Sequence, residues 1–156
     1  VLRYIEIYNI GGNEALMLRT GALFHDAGFI DRAKGHEEVS CNYAKEYLPS
    51  FEYSDAQVEI ICGMIMATKI PQTPKNKLEE ILADADLDYL GRDDFFPIAD
   101  RLYLELKSTG IIADENQWNR LQVNFFENHH YFTDAAKRSR NDKKAQNLLM
   151  IKEKLR

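Results

Sequence analysis

Apolar residues recur every third or fourth position along most of the chain, the spacing of amphipathic helices rather than the alternation of half-buried strands. Ala15, Leu18 and Ala22, with Leu16, Leu23 and Ala27, predict one helix, with Asn13 as its N-cap and Gly28 as its stop. The opening "VLRYIEIYNI" is helical in pattern from its first residue, so the chain is expected to begin inside an element. "GHEEVSCNYAKEYLPSF" predicts a helix with acids in its first turn, ended by Pro49. Ser54 and Gln57 fit a capping box that opens a helix carrying Val58, Ile61, Cys62 and Ile65. "KIPQTPKN" breaks it; Thr73 is expected to cap the next helix, with Pro74 at its first position. That helix carries Leu78, Ile81, Leu82, Ala85 and Tyr89 and is expected to end at Gly91. Further helices are expected from about Pro97 to Lys107, from about Glu115 to Asn128, and after Thr133. The pattern predicts an all-α fold, a single helical bundle of seven or eight helices. No repeat and no long polar linker divides it, so residues 1–156 read as one domain.

Composition narrows the function classes. The 156 residues are 45% hydrophobic, enough for a real core, with a formal net charge of −5. An acidic chain is a poor match for nucleic acid, which needs concentrated Lys and Arg. "KRSRNDKKAQ" is locally basic but interrupted by Asp142, and reads as a solvated helix surface. Cys41 and Cys62 form neither a disulfide framework nor a CxxC metal motif. Reduced thiols in a cytoplasmic protein are the expectation. No apolar run approaches the roughly 18 residues of a membrane span, and no signal peptide is visible.

Two polar features sit badly with a plain core. "GALFHDAGFI" places His25 and Asp26 at the end of an apolar helix. Adjacent helical residues point about 100° apart, so both side chains reach one ion only where the helix loosens. "ILADADLDYLGR" sets Asp84, Asp86 and Asp88 among apolar residues. They lie at about −100°, +100° and −60° from Ala85, so helical projection does not choose among them. Aspartate is a weak helix former, and acids oppose the dipole near a helix C-terminus. Carboxylates placed against propensity suggest a bound cation.

"ALFHDAG" followed by "ILADADLDYLGR" resembles the HD-domain superfamily of metal-dependent phosphohydrolases, whose pattern is a His, then a His-Asp pair, then a distant Asp on a helical bundle. "GHEEVSCNYAKEYLP" resembles the His-Glu helix frequent after the pair, and "ATKIPQTPKNKLEEILADADLDYLGRDDF" resembles a bacterial subgroup known only as HD-domain proteins. The resemblance runs from the start of the chain through Thr133. It implies His25, Asp26 and Asp86 as metal ligands, with Asp86 chosen because the family's ligand follows an alanine. Asp84 is second choice, and His36 and Asp84 are candidates for support around the ion.

This chain departs from that pattern in two places. No His occurs between Val1 and Phe24, so the first family ligand is expected just upstream of Val1. Two-metal members often carry extra histidines near "MIMATK", where this chain has Thr68, so one ion is expected. Imidazole and carboxylate suit Mn, Fe, Co, Ni or Zn, with Mg less at home beside nitrogen. Such an ion acidifies a bound water and neutralises phosphoryl charge. Asp26 is the expected ligand that also holds the attacking water, and Lys69 and Arg92 are candidates to stabilise phosphate charge. The implied function is hydrolysis of a nucleotide or other phosphate ester in the cytoplasm. The alternative is a catalytically inactive HD-fold module that binds a ligand or protein. "ENHHYFT" reads as packing, while Phe95 and Phe96 suit either a cleft or the core.

Overall fold

The computed structural model describes residues 1–155, and among them there are eight α-helices and no strand. Contacts gather the chain into two compact units that divide after Asp86.

The first unit contains α1 (Leu2–Ile7), α2 (Gly12–Phe24), α3 (His36–Tyr47), α4 (Asp55–Thr68) and α5 (Lys77–Asp86). Short 3-10 turns follow α2 at Ala27–Ile30 and α3 at Leu48–Phe51. Helix α4 is central, packing on α2, α3 and α5. Its buried residues, Val58, Ile61, Cys62, Met64, Ile65, Ala67 and Thr68, spread round much of the circumference, as a helix enclosed on several sides requires. Leu18, Ala44, Ile81 and Leu82 complete this core. The capping box is formed: Ser54 Oγ accepts from Gln57 N–H, and Gln57 Oε1 accepts from Ser54 N–H at 2.9 Å.

Four expected boundaries move, and at two of them a specific polar partner outcompetes the sequence pattern. Helix α2 starts at Gly12 behind Gly11, so Asn13 is inside it rather than its cap. It also ends at Phe24, short of Gly28, for a reason given below. Helix α5 starts at Lys77, not after Thr73. Asn76 Oδ1 accepts from the N–H groups of Leu78 and Glu79, both at 3.1 Å, and asparagine is the stronger N-cap. The same helix ends at Asp86, and Gly91 closes a separate 3-10 turn, Asp88–Gly91.

That turn opens the second unit, followed by α6 (Phe95–Ser108), α7 (Glu115–Asn128) and α8 (Asp134–Glu153). Asp114 and Thr133 cap α7 and α8 through their side chains. Leu90, Phe95, Ala99, Ile112, Trp118, Phe126 and Ile151 form the core. Phe95 is therefore a core residue, edge-on to Phe126 at 5.1 Å. The turn at Asp88–Gly91 lies against α8. Asn147 Nδ2 donates to the carbonyls of Leu90 (2.9 Å) and Arg92 (3.1 Å). A Cβ on Gly91 would stand 2.5 Å from the Arg140 carbonyl oxygen, so this approach requires glycine. Much of the basic stretch on α8 is engaged: Arg140 grips Asp88, Lys143 pairs with Asp93 at 2.7 Å, and Lys144 lies over the Tyr131 ring.

The His-Tyr-Phe segment packs as expected. His129 stacks on Phe125 and meets Tyr131 edge-on at 4.7 Å. Neither ring nitrogen of His129 has a hydrogen-bond partner among the described residues. Burial, with the nearby Lys144 and His130 charges, pushes its pKa down from 6.5 to about 3. Between those two pH values the unfolded ring binds a proton that the folded ring refuses. Stability should therefore fall as pH drops through this window, by about 2–4 kcal/mol at its lower end, allowing for the part of the ring that solvent reaches. His129→Phe keeps the packing and should lose less stability between pH 6.5 and pH 3, as read from urea unfolding across that range. An unchanged pH slope would refute this account.

Candidate metal and phosphate site

The site is built where α2 stops. Ser40, wholly buried on α3, reaches across to this point. Its Oγ donates to the His25 carbonyl and accepts from the Gly28 N–H, both at 2.9 Å. One side chain thus satisfies the end of α2 and the start of the next turn, so the helix gives way at His25 despite its continuing apolar pattern. The loosening that a shared site for His25 and Asp26 requires comes from this tertiary tie. Sequence reasoning missed Ser40; its signal was a small polar residue between Val39 and Cys41 on the apolar side of α3.

The released turn brings His25 Nε2 to 3.3 Å from Asp26 Oδ2 and to 3.3 Å from Asp86 Oδ1. Asp86 arrives from the end of α5, within the same unit. His36, at the start of α3, puts its Nε2 3.4 Å from Asp26 Oδ1. The ring stacks on Phe29 at 3.8 Å between centroids, which holds its plane. Both histidines are oriented alike. Nδ1–H of His25 donates to the Ala22 carbonyl at 2.8 Å, and Nδ1–H of His36 to the Ala33 carbonyl at 3.0 Å. Each Nε2 is thereby turned toward carboxylate, the arrangement that metal-ligating histidines use.

The cluster's electrostatics favour a cation. Burial alone would lower the His25 pKa, but the hydrogen bond to Asp86 and the charges of Asp26 and Asp86 outweigh it and hold it at about 9. In the protein alone, a proton on His25 supplies the positive charge between the two carboxylates. Burial raises the Asp26 pKa, with Asp86 and Glu37 adding to it against His25 and His36. Its side chain is 57% exposed against 23% for Asp86, so Asp26 is the more open of the two carboxylates.

Donors sharing one ion at about 2.1 Å, at angles of about 90–110°, stand about 3.0–3.4 Å apart. The observed separations meet that spacing pair by pair, and imidazole nitrogens with carboxylates suit a borderline divalent ion. The pairs run as a chain, His36–Asp26–His25–Asp86. Among the described residues, no group of three or more His, Cys, Asp or Glu side chains is placed so that it could hold a metal ion.

The three carboxylates of "ILADADLDYLGR" have separate fates. Asp84 is wholly buried, Asp86 meets His25, and Asp88 is gripped by Arg140 through two bonds of 2.8 and 3.0 Å. The two cations expected to meet phosphate are already paired. Lys69 is bound to Glu38, and Arg92, in the second unit, is bound to Asp94 and lies 4.0 Å from Asp88. No helix among the described residues is long and apolar enough to cross a membrane. No family model, curated protein or solved structure matches this chain.

Proposed function

We propose that the first unit is a metal-dependent phosphohydrolase of the HD-domain kind, acting in the cytoplasm on a nucleotide or other phosphate ester. The observation that carries this reading is the meeting of His25, Asp26 and Asp86, brought together from two elements far apart in the chain, with His25 Nε2 3.3 Å from each carboxylate. These three residues hold one divalent ion, and His36 stands beside Asp26. When bound, the ion supplies charge neutralisation on a phosphoryl oxygen and an acidified water.

The chain's own groups do the rest. The Ala22 carbonyl fixes the His25 tautomer, so that Nε2 faces the site. Asp26, open to solvent and with a raised pKa, orients the attacking water and accepts its proton. His36 Nε2, held by Phe29 and Ala33, keeps the Asp26 carboxylate aimed. Lys69 meets phosphate only by exchanging Glu38 for it.

Calorimetric titration with Mn or Co should show one ion per chain, and His25→Ala should weaken it by about 100-fold or more. Hydrolysis of p-nitrophenyl phosphate and of a nucleotide panel should depend on the added ion. A protein that binds no ion and hydrolyses none of the panel would transfer the reading to a non-catalytic binding module.

A further inference from the structure

The proposed hydrolysis uses neither of the two cysteines. Cys41 lies on α3 and Cys62 on α4, and their contacts are reciprocal. Cys41 S–H reaches the Cys62 carbonyl at 3.5 Å, and Cys62 Sγ lies 3.7 Å from the Cys41 carbonyl. Such crossed contacts bring the two thiols side by side where α3 crosses α4. They are 8% and 6% exposed, yet both line a cleft of about 630 Å³ with Lys45, Gly63, Met66 and Lys69. The cleft has room for a small oxidant many times over, since one water occupies about 30 Å³ of liquid.

The two sulfurs are unlike. The adjoining Cys41 thiol lowers the Cys62 pKa, against burial, and the charge of Lys45 lowers it further. Lys45 is itself paired with Glu59 at 2.9 Å. The Cys41 thiol is pushed up by its Cys62 neighbour and by burial. Cys62 thus has the nucleophile's character and Cys41 remains the protonated neighbour.

We propose that Cys41 and Cys62 are a redox-active dithiol that closes into an intramolecular disulfide on reaction with a hydroperoxide entering through this cleft. The Cys62 thiolate attacks the terminal peroxide oxygen, the O–O bond breaks, and the leaving oxygen takes a proton to depart as water or alcohol. Cys62 is then a sulfenic acid. The Cys41 sulfur attacks the Cys62 sulfur, the S–O bond breaks, and hydroxide takes the Cys41 proton to leave as water. One peroxide is reduced by two electrons, and the two thiols supply them. This site is independent of the hydrolase reading.

The test uses the full chain, reduced, treated with hydrogen peroxide near stoichiometry and quenched by alkylation under denaturing conditions. The expected product is a monomer lighter by two hydrogens, with neither thiol alkylated and a Cys41–Cys62 linked peptide in the digest. Dithiothreitol should restore both thiols. Cys41→Ser should stop at a dimedone-trapped sulfenic acid on Cys62, while Cys62→Ser should leave Cys41 alkylatable. Wild-type protein whose thiols both stay alkylatable, or that forms only higher oxides or links between chains, would overturn the proposal, and that arm does not depend on how the variants fold.

Discussion

Asp26→Ala is expected to lower hydrolysis of a phosphate ester by about 1,000-fold or more, the largest functional effect of any single change in the cluster. The substitution removes a donor that stands between two histidines, 3.3 Å from His25 Nε2 and 3.4 Å from His36 Nε2. It also removes the cluster's solvent-open carboxylate, the group assigned to the attacking water. Asp26→Asn separates these losses. The amide keeps an oxygen that can face an ion but cannot take a proton at neutral pH. It should retain more of the ion, measured by calorimetry, while losing nearly as much kcat as alanine. Lys69→Ala is the contrast: its ammonium is exposed and tied to Glu38, so a loss below about 10-fold is expected. Activity that survives Asp26→Ala would place the reaction elsewhere in the molecule.

The fold class was legible because helical periodicity and capping are local. The Ser54–Gln57 box needs only four residues to form, and Thr133 needs only its own helix. The boundaries that moved depend on partners distant in sequence or on local competition. Nothing between Leu18 and Gly28 says that α2 must stop at Phe24; Ser40, on another helix, decides it. Thr73 was the expected cap, but Asn76 takes two N–H groups and starts the helix three residues later.

The candidate site was legible in the same measure. The pairing of Asp86 with His25 could not come from helical projection, which treated Asp84, Asp86 and Asp88 alike. Resemblance selected Asp86, which meets His25, while Asp84 is buried and Asp88 is held by Arg140. His36 was visible as a histidine in the right neighbourhood. Its contact with Asp26 depends on the 3-10 turn and on Phe29, whose ring has no periodic signature. Lys69 and Arg92 were chosen as cations near motif residues, and a sequence cannot show that a cation already has a carboxylate partner.

Gly28→Ala should be among the most damaging conservative substitutions in the first unit, costing about 3 kcal/mol or more of its stability. A Cβ there would stand 2.0 Å from the His36 carbonyl oxygen and 2.9 Å from the Ser40 nitrogen. Both are backbone atoms of α3, so no rotamer change relieves the clash. The turn and the helix must separate. That movement strains the bond from Gly28 N–H to Ser40 Oγ, and with it the Ser40 link to the His25 carbonyl. Stability and site are therefore coupled here. The variant should unfold at lower urea concentration and, where it still folds, bind the divalent ion more weakly than wild type although no ligand has changed. Leu23→Ala is the matched control, five residues away on the same segment with 77% of its surface exposed, and should shift unfolding by no more than about 0.5 kcal/mol. A Gly28→Ala protein as stable as that control would mean that α3 and the turn do not lie this close, and the geometry assigned to His36 and Asp26 would fall with it.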